Sequence, residues 1–219
     1  GSARPPMAAF AEAHLGAVAR LQGDVDLARE RFLAAVNRWR ELEDLQGVAD
    51  ALRLEGWAEF TAGRPRAAVP RLERASAIEL QLDEPVRRSD TLRYLGWCEY
   101  LDGRLIAAED HLRTAMSDAR DVGEEGTAAF CEGLLGHVLL RSGRANEALA
   151  LARDLRVRAS SGSDPWGEWS CATLEAAALL GLGSAAEACE LGLQAVARFE
   201  ELDDALGLGI ARVVTAQAL

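Results

Sequence analysis

The stretch Leu95-Gly96-Trp97-Cys98-Glu99-Tyr100-Leu101-Asp102-Gly103-Arg104-Leu105-Ile106-Ala107-Ala108 decides the fold, because its small residues return every 40 positions. Gly96 forms a series with Gly16, Gly56 and Gly136, and Ala176 takes the fifth slot. Gly103 belongs with Gly23, Gly63, Gly143 and Gly183, and Ala108 with Ala28, Ala68, Ala148 and Ala188. Self-similarity at a fixed step means one supersecondary unit stacked on copies of itself, each burying a face that its neighbour supplies.

Working outward from that stretch, each unit reads as helix, tight turn, helix. In the first, an apolar pattern runs from Met7 to Leu21, breaks at Gly23-Asp24 and resumes from Val25 to Leu42. A glycine just past a helix end supplies the left-handed conformation that terminates the helix at little cost. Asp44, Glu84, Glu124, Asp164 and Asp204 stand at the start of each following first helix, where a carboxylate can cap free backbone N–H groups. Pro65, Pro85 and Pro165 fall in first-turn positions that tolerate proline, whereas Pro70 lies further in and predicts a mild kink. The polar run Ala159-Ser160-Ser161-Gly162-Ser163 predicts a longer loop or a change of pitch. Gly16, Gly56, Gly96 and Gly136 are mid-helix, each costing about 1 kcal/mol against alanine. Their cause is read as close helix approach, with the Ala28 series opposite.

The expected architecture is all-α: a right-handed superhelical solenoid of five helical hairpins plus a terminal helix. Its units span 7–43, 44–83, 84–123, 124–163 and 164–203, with the terminal helix at 204–219 and a scar and tail at 1–6, of which Gly1-Ser2 reads as a cloning remnant. The pattern stops at Leu219 in mid-repeat, so a fragment of a longer protein is expected.

Composition narrows the partners. The 24 basic residues are all Arg, which reads as the codon bias of a GC-rich genome. A net charge of −11 argues against nucleic acid or an anionic membrane as the direct partner. With no apolar run near the length of a membrane span and no signal-peptide pattern, a cytoplasmic location is expected. Cys98, Cys131, Cys171 and Cys189 lack CxxC spacing and read as reduced, buried thiols. His14, His111 and His137 are too scattered for a zinc site. No cofactor or metal is expected.

The pattern Leu15-Gly16, Gly23, Ala28, Phe32, Ala35, repeated as Leu95-Gly96, Gly103, Ala108, Leu112, Ala115, resembles the tetratricopeptide repeat (TPR). The likeness extends over the whole chain and departs most in the fifth unit, where Glu175-Ala176 replaces Leu-Gly. Inter-repeat stretches such as Glu41-Leu42-Glu43-Asp44-Leu45-Gln46-Gly47-Val48-Ala49 look like those of regulatory TPR arrays in large LuxR-type and antibiotic-regulatory-type ATP-binding transcription factors. That likeness implies a regulatory region attached to an ATPase or DNA-binding module.

One stripe carries the candidate site. Asp50, Arg53, Trp57 and Phe60 are spaced 3, 4 and 3, which places them along one helix face. The next unit repeats them as Asp90, Arg93, Trp97 and Tyr100, and the fourth offers Phe130 and His137. The TPR resemblance implies that this face of each first helix lines a concave groove. Trp offers a flat apolar face with a donor, and Arg a rigid fork for carboxylate or phosphate. Such a row suits a protein or peptide, including another domain of the parent chain, or a small anionic or aromatic ligand. The competing reading makes Asp50–Arg53 and Asp90–Arg93 neutralising pairs, with the indoles packing between repeats. Glu59 and Glu99 either pair with an Arg of a second helix or reach the groove edge. Trp166 and Trp169 are expected to anchor the fifth unit against the fourth. No GxSxG, HExxH or Walker loop occurs, and His137 beside Asp90 is read as a hydrogen-bonding residue. A non-catalytic scaffold is therefore expected, the alternative being a small-effector sensor.

Overall fold

The computed structural model describes residues 5–219, so the Gly1-Ser2 remnant lies outside the described residues. Eleven α-helices and no strand occur among them: α1 (Pro5–Leu21), α2 (Val25–Glu41), α3 (Leu45–Thr61), α4 (Pro65–Gln81), α5 (Pro85–Asp102), α6 (Leu105–Asp121), α7 (Glu125–Arg141), α8 (Ala145–Ser161), α9 (Pro165–Gly181), α10 (Ala185–Glu201) and α11 (Ala205–Ala218). The fold is an all-α repeat of helical hairpins, and its period arises from helices of 17 residues joined by three-residue turns.

Both kinds of turn close in the same way. Inside each hairpin Gly23, Gly63, Gly103, Gly143 and Gly183 take φ between 73° and 83°. The Gly63 N–H donates to the Phe60 carbonyl at 2.9 Å and the Arg64 N–H to the Glu59 carbonyl at 2.9 Å, which satisfies carbonyls the helix leaves free. Between hairpins the equivalent slot holds Gly123 at φ 78°, and also Glu43, Asp83, Ser163 and Asp203 at φ 54–57°. The left-handed region costs a side chain about 1 kcal/mol or more, so these junctions are imposed by the helix packing on either side. The longer loop expected at 159–163 is absent. Residues 159–161 continue α8, the Ser161 hydroxyl donates to the Val157 carbonyl at 2.8 Å, and the chain turns on Ser163 like every other junction.

Asp44 and Asp164 each accept from the backbone N–H three residues on, at 2.9 Å, and Asp204 does so toward Leu206 and Gly207. Glu84 does not cap α5; its side chain reaches Arg87 instead, at 4.0 Å, one methylene too long for the tight return that Asp makes. Helix α4 runs through Pro70 unbroken to Gln81.

The chain packs as two compact units, residues 1–128 and 129–219. In the first, α1 to α6 pack each on the next, and α3 also touches α1 and α5 directly. The repeated glycines lie under large side chains of the second helices. A Cβ on Gly16 would stand 2.8 Å from the Phe32 ring, on Gly56 2.7 Å from Leu72, and on Gly96 2.7 Å from Leu112. The close approach is therefore a side chain lying over glycine; the Ala28 series contributes the backbone behind it, the Ala108 carbonyl lying 3.3 Å from the same point over Gly96. In the second unit the scheme shifts. Leu174 of α9 lies over Gly136, and where Ala176 replaces the glycine, the facing residue shrinks to Gly192, itself covered by Thr215.

Buried carboxylates tie neighbouring helices together. Glu59 (1% exposed) meets Arg29 of α2 at 2.6 Å and Arg64 at 3.0 Å. Glu99 accepts from Arg104 at 2.9 Å and lies 2.7 Å from His111. Both therefore answer to the second-helix side. In the second unit Glu175 meets Arg153 at 2.8 Å and Arg156 at 3.0 Å, and Glu132 pairs with Arg158. A buried carboxylate without such partners would be costly.

Candidate functional site

Helices α3 and α5 sit side by side in the first unit, and their like faces bring two copies of one motif together. Arg53 of α3 donates to Asp90 of α5 at 3.2 Å and lies 3.6 Å from Asp50 on its own helix. Asp90 also accepts from Arg93, and Asp50 accepts from Arg87 at 2.6 Å. The result is an alternating ladder, Arg87–Asp50–Arg53–Asp90–Arg93, that crosses from one repeat to the next. Its members are half-buried, with Arg53 24% and Arg93 18% exposed. The pairs are thus neither simple i,i+3 neutralisation nor free charges. They form one inter-repeat network in which Arg53 Nε has no hydrogen-bond partner.

The aromatic residues lie along the same faces. Trp57 stands 6.0 Å from Tyr94, Phe60 6.1 Å from Tyr94, and Phe60 5.0 Å from Trp97, ring centre to ring centre. Arg20 of α1 covers the Trp57 ring at 3.9 Å and Arg93 covers Tyr94 at 4.4 Å. Each such cation–ring contact is worth about 0.5–2 kcal/mol, more as water is excluded. Both indoles are half-buried, as is Tyr100.

Under the ladder lies a residue that helical spacing does not single out. Glu79 of α4 is fully buried and accepts from the Thr91 hydroxyl at 2.9 Å, while its second oxygen has no partner. Burial pushes its pKa up; the Thr91 hydrogen bond and the guanidinium groups of Arg53 and Arg87 oppose that rise without cancelling it. A signal exists in the repeat: position 79 is the equivalent of Trp39, Ala119, Ala159 and Phe199, and the rings of Trp39 and Phe199 lie over Gly47 and Gly207. A carboxyl where the other units hold a ring or an alanine, with Arg87 in the slot of Gly47 and Gly207, marks a substituted contact. Tyr94 and Arg87 escape the sequence reading because they fall outside the 3-4-3 spacing, whereas Arg20 closes the first unit's own stripe of Phe10, Ala13, Ala17 and Arg20.

Phe130 and His137 belong to α7, and from residue 129 onward to the second unit. Both are half-buried, and burial pulls the His137 pKa below the usual histidine value. Trp166 and Trp169 tie the fifth hairpin forward, toward α10 and α11. The Trp166 indole N–H donates to Asp204 at 2.7 Å, and Trp169 packs against the cluster of Ala195, Phe199 and Ala211 from α10 and α11. The reason is geometric: the start of α9 faces the next junction. Cys98 and Cys131 are buried and Cys171 and Cys189 partly so; burial pushes the Cys98 pKa to about 12 and that of Cys171 to about 11. No group of three or more metal-ligating side chains occurs among the described residues. No described helix is long and apolar enough to cross a membrane.

The tetratricopeptide repeat family model matches residues 7–79. No curated protein matches the chain. Among solved structures, the TPR-like repeats of a putative kinesin light chain from Podosopora anserina superpose with a TM-score of 0.77 at 17% identity, covering 93% of this chain and 100% of that one. The Rap conjugation gene regulator of plasmid pLS20, solved in complex with a Phr peptide, gives 0.63 at 19% identity, covering 88% and 53%. A Rap protein complexed with competence and sporulation factor gives 0.66 at 14%, covering 99% and 65%. At these identities the likeness is one of fold.

Proposed function

We propose that this chain is a non-catalytic scaffold that binds a protein or peptide through the first-helix faces of α3 and α5, and that it serves as the interaction region of a larger bacterial signalling or transcription regulator. The observation that carries the reading is the Arg87–Asp50–Arg53–Asp90–Arg93 ladder between half-exposed Trp57 and Trp97. Repeat stacking alone does not need it: the equivalent slots of the first unit hold Phe10, Ala13 and Ala17. A half-exposed guanidinium already oriented by an aspartate loses little freedom when it meets a partner carboxylate or carbonyl. The indoles add flat apolar area that leaves water on contact. The Rap conjugation gene regulator, which shares the fold, was solved with a Phr peptide, and a peptide is the size of occupant that a row along two helices can hold.

The test uses peptides selected from a displayed random library on the immobilised chain. Affinities are then compared for the parent and for Arg53→Ala/Arg93→Ala, with helicity checked by circular dichroism. The reading expects a class of peptides whose affinity drops about tenfold or more in the double variant, as befits the loss of charge-assisted hydrogen bonds. Peptides that bind the parent and the double variant equally, whatever their sequence, would remove it.

A further inference from the structure

A second surface lies on another face of the same unit. Helices α2, α3 and α4 enclose two adjoining open recesses, of about 440 and 290 Å³. Buried Val36, Val48 and Leu52 form their floor, with Leu33, 53% exposed, on one rim and Ile78 on another. Two arginines, Arg40 of α2 and Arg74 of α4, border both recesses, while Glu43 borders the first and Glu55, already paired with Arg71, the second. Both are exposed, and among the described residues neither side chain makes an ion pair, hydrogen bond or ring contact. Their neighbour Arg71 is by contrast held by Glu55 at 2.8 Å, and Arg31 and Arg38 by Glu12 at 3.2 and 3.6 Å. In a chain of net charge −11, most arginines find a carboxylate, and these two stand apart beside uncovered aliphatic surface.

The repeat supplies a control. The slot of Arg40 holds Leu80, Arg120, Ser160 and Glu200 in the other units, and that of Arg74 holds Ala34, Thr114, Asp154 and Gln194. The pair is therefore local to this one place and unnecessary for stacking. We propose that the α2–α4 face is a docking site for an acidic amphipathic peptide segment, distinct from the first-helix row. Aliphatic side chains of the segment enter the two recesses, and its carboxylates meet Arg40 and Arg74. Charge complementarity selects this occupant: a guanidinium over an apolar floor discriminates by sign, and its pairing strengthens as the floor is dried. The openness of the recesses, and their sharing of both arginines, suit a chain that spans them with side chains one helical turn apart better than a small molecule that a closed cavity would engulf.

The same displayed library tests this with different variants. The expectation is a class of peptides enriched in Asp or Glu with Leu or Ile, binding more weakly as salt rises. Their affinity should fall at least about tenfold in Arg40→Glu/Arg74→Glu, partly persist in Arg40→Lys/Arg74→Lys, and be unchanged in Arg53→Ala/Arg93→Ala. Because both arginines are exposed and unpaired, helicity should survive the reversal. The proposal is overturned if no selected class depends on Arg40 and Arg74. It is equally overturned if every class lost in that variant is also lost in the Arg53/Arg93 variant, or if vesicles of phosphatidylcholine with phosphatidylserine bind through Arg40 and Arg74 while peptides do not.

Discussion

Replacing Gly96 by alanine sets two effects against each other in one methyl group. Alanine in a helix interior gains about 1 kcal/mol over glycine through backbone entropy. At this position the new Cβ would stand 2.7 Å from Leu112 Cγ, 2.9 Å from its Cδ2 and 3.3 Å from the Ala108 carbonyl oxygen. Leu112 is fully buried and the carbonyl belongs to a helix backbone, so neither can step aside without moving α6. Overpacking of that kind costs roughly 1–3 kcal/mol, and set against the gain of about 1 kcal/mol the net expectation is destabilisation by about 0–2 kcal/mol. Gly209→Ala in α11 is the matched control: a Cβ there meets nothing within 4 Å, and the variant should gain about 1 kcal/mol. Urea unfolding followed by circular dichroism reads both through the shift in midpoint. A third variant isolates the contact. Leu112→Ala alone should cost roughly 2–5 kcal/mol, yet adding Gly96→Ala to it should be neutral or favourable, a coupling of at least about 1 kcal/mol. The fifth hairpin already carries that arrangement, with Ala176 and Gly192 in the two slots. Gly96→Ala and Gly209→Ala shifting the midpoint equally, with no coupling to Leu112, would refute the reasoning.

Glu79 predicts a pH dependence. Burial raises its folded pKa above the ordinary value of 4.5, so between those two pKa values the native state keeps a proton that the unfolded chain has released. Native stability therefore falls as pH rises through that window, and the stability of Glu79→Gln relative to the parent should climb from pH about 4.5 upward; denaturant melts at acidic, neutral and mildly basic pH check it. The caps predict a contrast: Asp44→Ala should cost about 1 kcal/mol, because it removes the acceptor for the Gly47 N–H. Glu84→Ala, which removes no cap, should shift the melting midpoint by less than half as much.

The period itself made the helices, the hairpin turns and the register legible, since a glycine kept at a fixed step marks a turn or a close contact that recurs in every unit. What escaped was set by contacts that a single strand of sequence does not display. The junction turns at Glu43, Asp83, Ser163 and Asp203 carry no glycine and owe their left-handed backbone to the helices they join. The forward tie of Trp166 to Asp204 spans 38 residues, and its direction follows from which junction α9 faces. In the candidate site the Arg and Trp positions followed from spacing, but the sharing of Asp90 between Arg53 and Arg93 needed the distance between α3 and α5. Glu79 was legible only by laying the repeats over one another and noticing a carboxyl where the other units hold a ring or an alanine.

The first-helix row can be interrogated directly by labelling the five tryptophans, Trp39, Trp57, Trp97, Trp166 and Trp169, with 5-fluorotryptophan and recording ¹⁹F spectra as a library-selected peptide of the Arg53/Arg93-dependent class is added. Single Trp→Phe variants assign the resonances. The account predicts that Trp57 and Trp97 shift together with saturation of the peptide while Trp39, Trp166 and Trp169 hold still. Saturation with Trp57 and Trp97 unmoved, or with the shifts confined to Trp166 and Trp169, would contradict it.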